Sequence, residues 1–234
     1  MRPRVIRPEI LDDLPEDQAR ASLQDLVRLN RHWGGHASLR WLMSQAARRD
    51  ETFSLLDVGA ASGDMSACVR AWYPAARVTA LDYRLSHLAA ASHPKLSADA
   101  FHLPFRPAAF DFVFCSLFLH HFTDAQVREL LTAFGAVARR AVLVIDLQRH
   151  WIPRNFVPWT RHILGWDPVT VHDAPVSVDA AFTPRELTSL AQSAGLQGVR
   201  TRTLYPGFRI ALIARTPKSS NPSNPPKTQP LKTP

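Results

Sequence analysis

The segment Leu55-Leu56-Asp57-Val58-Gly59-Ala60-Ala61-Ser62-Gly63-Asp64 constrains the fold more than any other stretch of the chain. An apolar run enters a loop of small residues, and helical spacing resumes directly after it. A strand that turns so sharply into a helix needs glycine, for backbone freedom and for close approach to a ligand. The first N–H groups of that helix then favour a carboxylate or a phosphate. The rest of the chain repeats the theme. Apolar, β-like runs occur at 53–58, 77–81, 110–116 and 141–145, and helix-like stretches fall between them at 64–73, 84–92 and 124–139. Continuous apolar strands alternating with helices predict a parallel sheet covered on both faces.

The punctuation supports this division. Thr123 followed by Gln126 forms a capping box ahead of Val127, Leu130 and Leu131, and Thr183 with Glu186 forms another, with Pro184 at the first helical position. The second helix stops at Gly195. Two last apolar runs, 199–205 and 208–214, are split by Pro206-Gly207 and read as a hairpin-like pair on the sheet edge. Ahead of the first strand, 18–30 and 37–48 have helical spacing, broken at Gly34-Gly35. Residues 1–50 are therefore expected to form a helical cap and 51–215 the main domain. Residues 216–234 are rich in Pro, Ser, Asn and Lys, with Leu231 their one large apolar residue, and are expected to be disordered.

The small-residue loop alone leaves its ligand open between a methyltransferase cofactor, a dehydrogenase dinucleotide and no ligand at all. A dinucleotide fingerprint reads Gly-x-Gly-x-x-Gly, whereas here the glycines are Gly59 and Gly63 with Ala61 between them. Asp82 ends the next apolar run, where a carboxylate can accept both hydroxyls of a ribose or cap the following helix. Further on come Ser97-Ala98-Asp99-Ala100-Phe101-His102-Leu103-Pro104-Phe105, then Phe110-Asp111-Phe112-Val113 and Leu119-His120-His121-Phe122.

In this order the segments resemble those of class I S-adenosylmethionine-dependent methyltransferases, in particular the small-molecule family that includes the ubiquinone and menaquinone biosynthesis enzymes. The resemblance covers 53–145. It implies an α/β fold: a Rossmann-like doubly wound sheet, mostly parallel with an antiparallel terminal strand, carrying the helical cap. It also implies S-adenosyl-L-methionine as cofactor. Gly59, Ala61 and Gly63 would line the methionine and ribose part. Asp57 would hold the loop or meet the cofactor's amino group. Asp82 would take the ribose diol, Tyr83 would pack on adenine, and Asp99 and Ala100 would bracket it. Ser116 would lie under the sulfonium. Ala61 stands where the family has its middle glycine.

The chain has 234 residues, enough for one large domain without a disulfide or metal staple. Its two cysteines, Cys68 and Cys115, lie in apolar segments and read as buried thiols. The N-terminus is charged and broken by prolines, with no signal-like apolar stretch, and no run is long enough to span a membrane. A cytoplasmic protein is expected. The formal charge is +8; Lys218, Lys227 and Lys232 belong to the tail, so the remainder is nearer +5. With no dense basic run, a solvated arginine-rich surface is the first reading and nucleic acid the second.

Methyl transfer requires alignment of nucleophile, methyl carbon and sulfur, and a base only where the acceptor carries a proton. His120 and His121 follow the fourth strand, at the sheet edge where ligands of open α/β folds bind. Their alternative is packing or shaping the cofactor's surroundings. Asp146, His150 and His172 form a second set of acid/base candidates beyond the fifth strand. No spacing such as His-Glu-x-x-His occurs, so no metal is expected. The stretch 151–181 holds Trp151, Phe156, Trp159 and Trp166 among several prolines, which suits an aromatic lid over an organic acceptor or a plain helical excursion packed on the core. Three functions compete: O- or C-methylation of a small phenolic, polyketide or isoprenoid acceptor; modification of RNA or protein; and cofactor binding without catalysis. The sequence at Cys115-Ser116-Leu117-Phe118 lacks the Asn/Asp-Pro-Pro-aromatic motif of base N-methylation.

Overall fold

The computed structural model describes residues 3–92 and 94–217. Most of the expected tail, from 218 on, lies outside the described residues. The elements are α1 (Ile10–Asp13), α2 (Glu16–His32), α3 (Gly35–Ala46), β1 (Ser54–Val58), α4 (Asp64–Trp72), β2 (Arg77–Asp82), β3 (Lys95–Ser97), β4 (Phe110–Ser116), α5 (Asp124–Val137), β5 (Ala138–Leu147), α6 (Trp151–Leu164), α7 (Pro168–Ala180), α8 (Pro184–Ser193), β6 (Gln197–Leu204) and β7 (Arg209–Arg215).

The strands make one seven-stranded sheet in the order β3-β2-β1-β4-β5-β7-β6. All pairings among β1 to β5 are parallel; β7 runs antiparallel to both β5 and β6. The winding reverses between β1 and β4, and a crevice opens there at the carboxyl ends of the strands. Both faces are covered. Leu130, Phe134 and Leu187 of α5 and α8 pack on Val113, Val142 and Leu212. Leu39, Leu42 and Val69 of α3 and α4 pack on Phe112, Leu143 and Ile213. Each fully buried side chain of this kind contributes about 2 kcal/mol of transfer free energy. The capping boxes at Thr123 and Thr183 are both formed.

One helix differs from expectation. Residues 84–92 form only a short 3-10 turn, His87–Ala90. Asp82 draws the Arg84 N–H (3.1 Å) and the His87 ring (3.3 Å) back onto itself, and Pro94 disfavours helical backbone just ahead of it. The three residues of β3 carry a single apolar side chain, Leu96, too little pattern to read as a strand.

The stretch 151–181 is an antiparallel pair of helices, α6 and α7. Buried polar contacts tie it to the N-terminal part. Asp173 on α7 accepts the N–H groups of Ile10 (3.0 Å) and Leu11 (2.9 Å), capping α1, and Asp25 on α2 accepts the Asp167 N–H at 2.7 Å. No helix among the described residues is long and apolar enough to cross a membrane.

The turn between β6 and β7 rests on the junction of α2 and α3. A Cβ built on Gly207 would lie 2.0 Å from the Trp33 carbonyl oxygen, a backbone atom that cannot swing aside. Gly207→Ala is therefore expected to lower stability by about 1–3 kcal/mol, the ordinary cost of overpacking, measured by urea denaturation. An unchanged midpoint would show that this turn does not bear on Trp33.

Candidate active site

The crevice holds a cavity of about 1080 Å³. One side is built by the loop after β1 and the ends of β2 and β3. Gly59 has φ +68°, and a Cβ there would meet the Phe118 ring at 2.4 Å, so only glycine fits. Ala61 adopts φ +45° and donates its N–H to Asp82 Oδ2 at 2.9 Å. Left-handed backbone costs a non-glycine residue about 1–2 kcal/mol. The Asp82 contact and the close fit of the loop hold it there. Burial pushes the Asp82 carboxyl upward, but hydrogen bonds from His87, Ala61 and Arg84 outweigh it and keep the group below its ordinary range. Asp82 therefore presents a carboxylate to the cavity. Asp99 is held below its ordinary range by His102 (2.9 Å) and by the Phe101 N–H. Tyr83, Ala100 and Phe101 complete this wall.

The opposite side is apolar. Leu26 and Leu29 of α2, Ile152 and Phe156 of α6, and Phe208 of the β6–β7 turn face the same cavity. Between the two sides lies a buried charge cluster. His120 is 3% exposed; its Nδ1 is 2.7 Å from Asp146 Oδ1, and its Nε2 is 3.6 Å from Glu9 Oε1. Burial alone would lower the His120 pKa, but the Asp146 and Glu9 carboxylates reverse this and raise it to about 9. Both carboxyls lie below their ordinary values in turn, the histidine overcoming their burial. Asp146 Oδ2 also accepts the Leu119 N–H at 3.1 Å, and Glu9 accepts the Ser177 hydroxyl at 2.5 Å. The trio therefore joins β5, the 3-10 turn Leu119–His121, the N-terminal segment and α7.

The candidates drawn from the sequence fall into three groups. Gly59, Ala61, Asp82, Tyr83, Asp99 and Ala100 share the cavity wall, and so do His120 and His121. Asp146 reaches the wall only through His120. The others lie away from it. Asp57 is buried behind the loop, accepts the Ser66 hydroxyl at 2.7 Å and is pushed up to about 7 by burial. Gly63, with φ +73°, starts α4 and packs on Ala91. Ser116 keeps a buried hydroxyl with no hydrogen-bond partner among the described residues. The wall at that point is formed by Leu117, itself left-handed at φ +52°, and Phe118. His150 caps α6 through the Ile152 N–H and stacks on Phe208 at 4.6 Å. His172 is half exposed and bonds Asp173 at 2.8 Å. Neither His150 nor His172 lines the cavity.

Glu9 and Arg209 are among the wall residues that escaped the sequence reading. Glu9 sits in a proline-broken segment without periodicity, so nothing marked it. Arg209 left a signal, as the one charge opening the apolar run Ile210–Ala214. Among the described residues, two groups of three have possible ligand atoms within 4.8 Å of one another, Glu9-His120-His121 and His36-Asp64-Cys68. In both, a histidine is already paired with a carboxylate, as His36 is with Asp64 at 2.9 Å, and ion pairing accounts for the arrangement.

Residues 56–144 match the family model described as a methyltransferase domain. The demethylmenaquinone methyltransferase of Roseiflexus sp. (strain RS-1) is 28% identical over 165 residues, which make up 63% of this chain and 69% of that protein. Human N-acetylserotonin methyltransferase, solved in complex with SAM, superposes with a TM-score of 0.63 at 17% identity, over 86% of this chain and 56% of its own. An O-methyltransferase family 2 protein from Planctomyces limnophilus DSM 3776, in complex with apigenin, gives 0.62 at 16% identity, over 88% and 63%. This chain spans less than two thirds of either solved protein, and at these identities what they share is the fold.

The charge cluster has a pH signature. His120 acquires its carboxylate partners on folding, so its pKa rises from 6.5 to about 9. Its contribution to stability is full below pH 6.5, above the range where Glu9 and Asp146 protonate, and is lost as pH rises through about 9. Thermal melts of the parent and of His120→Gln should differ most near pH 6 and converge by about pH 9.5. A difference that does not change with pH would contradict a protonated His120.

Proposed function

The chain carries a methyltransferase domain, and from that premise we propose that it transfers the methyl group of S-adenosylmethionine to the oxygen or carbon of a small phenolic, polyketide or isoprenoid acceptor. One observation carries this reading. A single cavity runs from the carboxylates Asp82 and Asp99 to an apolar chamber under α2 and α6. Pockets for one drug-sized ligand occupy roughly 300–1,000 Å³, so 1080 Å³ suits a nucleoside cofactor together with an organic acceptor. A mostly apolar chamber also favours a small organic acceptor over RNA.

The residues present fit the cofactor. Asp82 offers an ionised carboxylate whose Oδ2, bonded only to the Ala61 N–H among the described residues, keeps a lone pair for a ribose hydroxyl. Gly59 lets the backbone come close, and Asp99 lies beside the Ala100 and Phe101 surfaces that suit an adenine edge and face. When bound, the cofactor supplies a methyl group already activated on a sulfonium. The protein's own work is then positioning and exclusion of water. Holding acceptor and methyl in line can contribute about 7–11 kcal/mol, and the apolar walls from α2 and α6 reduce contact with solvent.

The state of His120 decides how a phenolic acceptor is handled. Already protonated between Glu9 and Asp146, it holds a proton and cannot take another. Its Nδ1 serves Asp146 and its Nε2 faces Glu9, so it fixes the chamber wall instead of acting as a base. Ionising a phenol of pKa about 10 at pH 7 costs about 4 kcal/mol in water, so proton loss accompanies methyl transfer instead of preceding it. His121, stacked on His120 at 4.3 Å and also at the wall, is the residue placed to pass the released proton on. Asp146 and Glu9 work through His120 as positioning residues, while His150 and His172 serve the ends of α6 and α1. The free thiols Cys68 and Cys115 accord with a reducing cytoplasm.

The test is incubation of the full chain with methyl-labelled S-adenosylmethionine and a panel of phenols, quinols, polyketides and isoprenoids. Labelled product at least about 100-fold above an enzyme-free blank is expected for a member of the panel. Label entering RNA or protein, with none in any small acceptor, would overturn the reading.

A further inference from the structure

Arg209 opens β7 opposite Leu147, and both residues line the cavity. The arginine is only 4% exposed, yet its Nε and Nη1 have no hydrogen-bond partner among the described residues. Buried guanidinium N–H groups without acceptors are rare and costly, so a fork of this kind needs an explanation. The negative charge that acts on it is Asp146. That carboxylate is already committed, through Oδ1 to His120 and the Leu147 N–H and through Oδ2 to the Leu119 N–H. The other acid of the cluster, Glu9, serves His120 and Ser177.

The position of Arg209 says which ligand it faces. The cofactor's carboxylates, Asp82 and Asp99, belong to the β2–β3 side of the sheet. From β1, strand β7 lies beyond β4 and β5, a distance of about 14 Å at ordinary strand spacing. Its neighbours across the sheet and along the chain, Leu147 and Phe208, are apolar and line the same cavity. A guanidinium meets the planar carboxylate through Nη1 with Nη2 or through Nε with Nη2, so each partnerless group of Arg209 belongs to an edge that can take one.

Resting on the small-acceptor reading, we propose that Arg209 anchors a carboxylate of the methyl acceptor, which is therefore a small, largely apolar organic acid. Its acid end lies at the β5–β7 edge, and its nucleophilic atom reaches back past His120 toward the loop after β1.

The probes are 4-hydroxybenzoate, 4-hydroxycinnamate and 3-hydroxyphenylacetate, each paired with its methyl ester. Binding to the full chain is measured by calorimetry in the presence of S-adenosylhomocysteine. The parent protein should bind at least one acid 10- to 100-fold more tightly than its ester. Arg209→Gln should abolish the preference without changing S-adenosylmethionine affinity, and Arg209→Lys should keep part of it. Should Arg209→Gln fail to fold, the acid–ester comparison in the parent and in Arg209→Lys decides. Equal binding of acids and esters, binding of neither, or a preference that survives in Arg209→Gln overturns the proposal. Failure of the parent to bind S-adenosylmethionine is a different result, which removes the functional reading on which the proposal rests.

Discussion

One imidazolium holds together parts of the chain that are remote in sequence. His120 stands on the 3-10 turn after β4, Asp146 ends β5, and Glu9 arrives from the N-terminal segment. Any one of these charges, buried alone, would cost several kcal/mol. His120 and Asp146 neutralise each other, and Glu9 shares the same imidazolium when the N-terminal segment is in place. That segment in turn depends on Asp173 of α7, which caps α1 and so delivers Glu9 to the cavity. The helical cap and the helix pair α6–α7 are thus walls of one chamber, and the charge cluster is where they are pinned to the sheet.

Backbone strain gathers at the same place. Ala61 and Leu117 both adopt left-handed conformations, and both face the cavity. Ala61 is held by Asp82, so the carboxylate that suits a ribose also fixes the loop beside it. Leu117 is held by its N–H bond to the Ile145 carbonyl at 2.9 Å, which turns the chain out of β4 and into the His120 turn. Strain of this kind persists where surrounding contacts over-determine the backbone, and it clusters at ligand sites.

The sheet was legible because its strands are continuous apolar runs set off by capping boxes and a glycine loop. Asp82 was legible because it ends such a run, and Asp99 because the segment 97–105 resembles a family motif. What the pattern could not convey was side-chain direction at the ends of strands. Ser116 turns away from the cavity, because the left-handed Leu117 carries the wall forward by one residue. His150 and His172 share composition with catalytic residues but spend their ring nitrogens on local hydrogen bonds. Glu9 was silent because its role depends on a contact across the whole molecule, with His120. Arg209 was visible as an odd charge before an apolar strand, yet its meaning depends on burial, which only the fold supplies.

The central claim is that the carboxylate edge formed by Asp82, beside the loop 59–63, is a binding site for S-adenosylmethionine. Calorimetric titration of the cofactor into the full chain and into Asp82→Asn tests it most directly. The account predicts saturable one-to-one binding to the parent, weakened about 10- to 100-fold by the substitution, as the loss of a charged hydrogen-bond acceptor requires. No binding to the parent, or equal affinity in Asp82→Asn, would contradict it.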